Sequence, residues 1–276
     1  MSTDDPLGRM TLRSLVGEDS VELCRHGGQV LTWRGADGWD RLFLSRAAVF
    51  AAGKAIRGGV PVIFPQFGAG PLPKHGFARD RAWELADSAA DRVLLRLQDS
   101  AATRALWPHL FRLELAVSVA PDTLRLAVRV ANRGAESFTF TFALHTYFKV
   151  AEISLTQLHG LEGVVFRDDL AGGARYPETR KIITVAAEVD RVYENAPEEL
   201  RITDAGHGRE FLVGRRNLPD AVLWNPWSGK ARRLPDFLRE EYRRMLCVET
   251  GSIATPVSLA AGAAWAAETV ITVRPA

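Results

Sequence analysis

With 276 residues, 47% of them hydrophobic, the chain can bury a large core without disulfides or metals, and a single all-β domain over 1–276 is a common solution at this size. A formal charge of +2 scatters 35 basic among 33 acidic residues without a continuous patch, which excludes nucleic acid as an expected partner. Two distant cysteines, Cys24 and Cys247, make neither a disulfide framework nor a zinc site. With no basic-then-apolar leader at Met1-Ser2-Thr3-Asp4-Asp5 and no apolar run near the roughly 18 residues of a span, they point to a cytoplasmic protein free of the membrane.

The first unusual stretch runs from Ala55 to Trp83. Ile56-Arg57-Gly58-Gly59-Val60-Pro61 and the Pro61–Gly68 segment are rich in Gly and Pro. Pro71-Leu72-Pro73-Lys74-His75-Gly76-Phe77-Ala78-Arg79 then brings basic side chains close together. Glycine lets backbone approach a ligand, and proline holds a path without regular structure, so a shaped loop region is expected.

Strand patterns follow. Leu113–Val119 and Leu124–Val130 alternate apolar and polar residues around Ala120-Pro121-Asp122-Thr123, a turn short enough for an antiparallel hairpin. In Phe138–Phe148 the period of two puts Phe138, Phe140, Phe142 and Leu144 on one face and Thr139, Thr141 and His145 on the other, so His145 points away from the core. Helical signal is thin and is best at Asp236 to Arg244. Met245-Leu246-Cys247-Val248 leads to Glu249 and Gly251, and Glu268–Val273 closes the chain as another alternating run. Many strands without crossover helices favour a large antiparallel sandwich.

Arg57 and Arg79 are anion-binding candidates, because a guanidinium presents a planar fork to phosphate oxygens and stays charged at any working pH. Surface solvation is the competing reading for any Arg here, but the Gly-Gly and His-Gly-Phe settings place these two near a pocket. His145 is a proton-transfer candidate against the commoner structural histidine, and Glu249 is a ligand carboxylate or a solvated strand end. His75 either orients a substrate hydroxyl or bonds a carbonyl. The six histidines offer no His-x-His or His-x-x-x-His spacing, so no metal is expected, and neither a Gly-x-Ser-x-Gly elbow nor a Walker-type loop occurs.

Taken together, Ile56–Pro61, His75-Gly76-Phe77-Ala78-Arg79, Leu144-His145-Thr146-Tyr147-Phe148, Trp224-Asn225-Pro226-Trp227 and Cys247-Val248-Glu249 resemble the hexose-6-phosphate mutarotase branch of the aldose 1-epimerase family. The resemblance implies an all-β, galactose-mutarotase-like supersandwich of large antiparallel sheets with the sugar site in a cleft on one concave face. It implies His145 as catalytic acid, Glu249 as catalytic base, Arg57 and Arg79 near the sugar phosphate, and Asp190 and His75 on sugar hydroxyls. Lys74 stands where relatives often carry an uncharged residue, and is either a third cation at the phosphate or a side chain reaching solvent. The implied activity is cofactor-free interconversion of the α and β anomers of a hexose 6-phosphate by a monomer whose partner is the small sugar phosphate. A 1-epimerase of unphosphorylated sugars and a non-catalytic sugar-binding module are the alternatives.

Overall fold

Residues 5–276 are described by a computed structural model; residues 1–4, on which part of the leader expectation rests, lie outside the described residues. The chain folds as two large antiparallel sheets, one of eight strands and one of nine, with a third sheet of three strands formed near the N-terminus. The expected hairpin is present: Phe111–Ala120 pairs with Thr123–Asn132 in the nine-stranded sheet, and Asp122 takes the positive φ of 48° that so tight a turn requires.

Alternation in the sequence becomes two-sidedness in the fold. Phe111–Ala120 buries every other side chain, and its Leu113, Leu115 and Val117 join the main core. Phe138, Phe140, Phe142 and Leu144 meet them from the eight-stranded sheet. Trp265, on the Ala264–Pro275 strand of the nine-stranded sheet, packs edge-on against Phe140 and Phe142 at 5.5 and 5.6 Å between ring centres. Each such aromatic contributes about 1.5–3 kcal/mol by leaving water, so this sheet-to-sheet seam is a main source of stability.

The opposite face of the eight-stranded sheet carries a second, smaller apolar group that includes Ile63, Tyr147, Val222, Trp224, Met245 and Cys247. Phe43 and Phe237, from loops laid over this face, complete it. His145 points away from the main core as its strand phase requires, yet it is only 7% exposed, packed among Tyr147, Trp224, Glu249 and, from the Gly-rich loop, His75.

Helix is scarce. The Asp236–Arg244 candidate forms only a 3-10 turn at Glu241–Arg244, because the Asp236 carboxylate is taken by Arg57 and the Leu238 amide by the Glu241 side chain. A short helix at Ala101–Leu106 is started by a Ser100–Thr103 capping box. Among the described residues no helix is long and apolar enough to cross a membrane.

Candidate active site

Strand register places the central pair. In the eight-stranded sheet Leu144 pairs with Thr250, and Tyr147 pairs with Cys247. Both pairings belong to one antiparallel frame, so His145 stands opposite Glu249, and directly opposed residues share a face. Their side chains touch: His145 Nε2 lies 3.2 Å from Glu249 Oε1. One strand further, Glu249 is opposite Val222 and Cys247 is opposite Trp224, and beyond that Trp224 is opposite Asp190. His145, Tyr147, Glu249, Trp224 and Asp190 therefore come to one surface from adjacent strands, although the sequence scatters them over more than a hundred positions.

Loops close the surface into a cavity of about 180 Å³. All seven side chains expected at the site line it: Arg57, Lys74, His75, Arg79, His145, Asp190 and Glu249. Phe67, Gly68, Asp169, Trp224, Lys230 and Leu234 complete the wall; Trp224 and the Phe67-Gly68 pair belong to stretches the sequence marks, whereas Asp169, Lys230 and Leu234 carry no local signal. Larger hollows of about 550 and 600 Å³ lie elsewhere, but their cations are taken up by neighbours, as in Arg46 with Glu241, Lys149 with Asp40 and Arg129 with Glu114.

The Gly-rich loops are shaped by close approach. Gly59 (φ 62°) lies so near the carbonyl of Val30 that a Cβ would fall 2.0 Å from its oxygen, and at Gly76 (φ 69°) a Cβ would fall 2.2 Å from that of Phe64. These two glycines press the segments bearing Arg57 and His75 onto the sheet.

Burial sets the electrostatics. It lowers His145 well below the usual histidine range, and the guanidinium groups of Arg57 and Arg79 add to the effect by repelling an imidazolium. It raises Glu249 well above the usual carboxylate range, reinforced by Asp190 and opposed by Arg79 and Lys74. Both shifts favour the uncharged forms, a carboxyl that carries its proton beside a neutral imidazole. Moving that proton across the 3.2 Å contact gives a carboxylate and an imidazolium without any exchange with solvent. His145 Nδ1 and Glu249 Oε2 are buried without a hydrogen-bond partner.

His75 is pushed down to about 3 by burial and by Arg79, Lys74 and Arg57, so it is neutral. Its Nδ1 accepts the amide of Gly68 at 3.3 Å, which leaves the proton on Nε2 as a donor. Tyr147 stacks on His145, with centres 4.6 Å apart and planes 8° apart, while Trp224 meets His145 edge-on at 5.9 Å. Asp190 faces Lys230, with Oδ2 3.5 Å from Nζ, and Lys230 also reaches Glu188 at 3.2 Å. Arg57 is held by Asp236 and by the Tyr147 hydroxyl, at 3.2 and 3.1 Å. Arg79 donates to the Lys74 carbonyl at 2.8 Å, and its Nε is buried without a partner.

Fold and site together define a galactose-mutarotase-like sandwich whose ionisable pocket lies on the outer face of one sheet. Residues 15–272 match the Aldose 1-epimerase family, and the chain belongs to that family. It is similar to a protein of Cenchrus ciliaris named "Putative glucose-6-phosphate 1-epimerase", 38% identical over 92% of this chain and 82% of that one. A protein of the same name from Escherichia coli (strain K12) is 35% identical over 81% and 76%. The crystal structure of "a putative mutarotase (YeaD) from Salmonella typhimurium" superposes with a TM-score of 0.88 at 28% identity, over 100% of this chain and 96% of that one.

Proposed function

We propose that the chain interconverts the α and β anomers of a hexose 6-phosphate, glucose 6-phosphate foremost, with His145 as acid and Glu249 as base. The observation that carries the reading is the 3.2 Å contact between those two side chains inside a cavity also lined by Arg57, Lys74 and Arg79. Relatives named for glucose 6-phosphate support the choice of sugar.

The hemiacetal docks against the pair. The Glu249 carboxylate takes the proton of the anomeric hydroxyl, the His145 imidazolium gives one to the ring oxygen, and the C1–O5 bond breaks to leave the open aldehyde. After rotation about C1–C2, neutral His145 takes the C5 hydroxyl proton, O5 closes on the other face of C1, and Glu249 returns its proton to O1. Atoms and protons balance, so no cofactor is consumed. Each group supplies about 10²–10⁴-fold.

Phosphate would lie among Arg57, Arg79 and Lys74, while His75 Nε2–H and Asp190 would take sugar hydroxyls. A bound dianion cancels the two guanidinium charges that oppose protonation of His145, so the substrate itself favours the imidazolium that ring opening needs. Remote binding energy is thereby expressed at C1 and O5. The free thiols of Cys24 and Cys247, both buried, fit a reducing compartment such as the cytoplasm.

Exchange NMR on pure α-glucose 6-phosphate and α-glucose tests the reading. Faster anomer exchange of the phosphorylated sugar is expected, and binding without acceleration over buffer would make the protein a sugar-binding module instead.

A further inference from the structure

Arg57 does not wait for its anion with an open hand. Its Nε lies 3.2 Å from both carboxylate oxygens of Asp236, and its Nη2 lies 3.2 Å from Oδ1. Its Nη1 donates to the Tyr147 hydroxyl at 3.1 Å. Of the five N–H groups of a guanidinium, three are engaged and two remain. Two is the number a bidentate phosphate contact uses.

The loop that brings Asp236 is itself pinned. Phe237 is buried against Phe43 at 5.7 Å between ring centres, and Glu241 accepts the amide of Leu238. Glu241 also accepts the Ser45 hydroxyl at 2.7 Å, while the Ser45 amide donates to the Arg57 carbonyl at 3.0 Å. Ser45 thus ties the backbone carrying Arg57 to the loop carrying Asp236, and the ion pair is a built contact rather than a chance surface meeting. Both side chains are mostly covered, with 23% and 17% exposure, so solvent screens the pair less than it would at the surface.

We propose that Asp236, resting on the reading above, is a positioning residue for substrate specificity: it holds the Arg57 guanidinium so that its two free N–H groups meet the sugar phosphate. Asp236 touches no substrate. Its effect falls chiefly on phosphorylated sugars, because an unphosphorylated sugar offers the two free N–H groups of Arg57 no anion.

The test compares Asp236→Ala and Asp236→Asn with the wild type on glucose 6-phosphate and on glucose, with inorganic phosphate as competing ligand and circular dichroism to follow folding. For Asp236→Ala the expected result is a KM for glucose 6-phosphate raised about tenfold, phosphate inhibition weakened by a similar factor, and glucose turnover altered less than about twofold. Asp236→Asn keeps an acceptor oxygen for Arg57 and is expected to raise that KM only about threefold, so the inference stays testable if the alanine variant fails to fold. An unchanged or lowered KM in either folded variant, or equal losses on both sugars, would overturn the positioning role. A wild type with no preference for the phosphorylated sugar would instead overturn the functional reading and the inference with it.

Discussion

Glu249 stands across from His145 in the antiparallel frame, with His145 Nε2 3.2 Å from Glu249 Oε1. Antiparallel register alone delivers this contact between residues more than a hundred positions apart, and the flanking pairs Leu144–Thr250 and Tyr147–Cys247 hold it from both sides. His145 sits in the two-residue break between Phe138–Leu144 and Tyr147–Lys149, and the sheet pairing on either side of that break holds it against Glu249.

Glu249→Gln and His145→Asn should each lower anomer exchange by about 10²–10⁴-fold while near-ultraviolet circular dichroism stays native. Exchange by Glu249→Gln within about threefold of wild type would remove Glu249 as base.

The pH profile should be bell-shaped, since the working pair holds one mobile proton. Below the acid limb a second proton gives imidazolium with neutral carboxyl, and above the basic limb the last one leaves. Because Arg57 disfavours the imidazolium, Arg57→Ala should move the acid limb to higher pH when measured on glucose, where no phosphate intervenes. An acid limb that stays in place would count against this coupling.

Stability should trade against function at Glu249. Its folded pKa is raised above the ordinary 4.5, so its contribution is fully present below about pH 4.5 and is lost as pH rises toward the folded value. Glu249→Gln lacks this loss. The variant is expected to melt higher than wild type at pH 8, and by less at pH 5, in scanning calorimetry. His145 acts in the opposite sense: its depressed pKa gives stability that is present above about 6.5 and lost as pH falls below that value.

Arg57→Ala should raise KM for glucose 6-phosphate at least tenfold and leave free glucose much less affected. Steady-state kinetics on both sugars check this, and equal losses would place Arg57 outside the phosphate site.

Gly76→Ala should destabilise the fold by about 1–3 kcal/mol or more, through strain at φ 69° and a Cβ 2.2 Å from the Phe64 carbonyl oxygen. Denaturant unfolding measures it, and a midpoint equal to wild type would mean that the loop yields without cost.

Much of this arrangement was legible in the sequence because it rests on period-two alternation. The phase of Phe138–Leu144 separated His145 from the core-facing side chains, and the turn at Pro121-Asp122 marked the hairpin. Long-range register was not legible. Nothing local to Asp190, Trp224 or Lys230 tells that they share a wall, since cross-strand neighbours are set by the pairing of whole strands. The burial of His145 was hidden for the same reason, because its neighbours His75, Trp224 and Glu249 come from distant segments. Asp236 had looked like the start of a helix. Its carboxylate serves Arg57 instead, a tertiary contact that overrides weak local propensity.

The most direct measurement is two-dimensional exchange NMR of glucose 6-phosphate with wild type, His145→Asn and Glu249→Gln at equal concentration. Strong exchange cross-peaks between the α and β anomeric protons are expected with wild type and near-buffer rates with both variants. Wild-type exchange no faster than buffer, or variants as fast as wild type, would contradict the acid–base pair at its root.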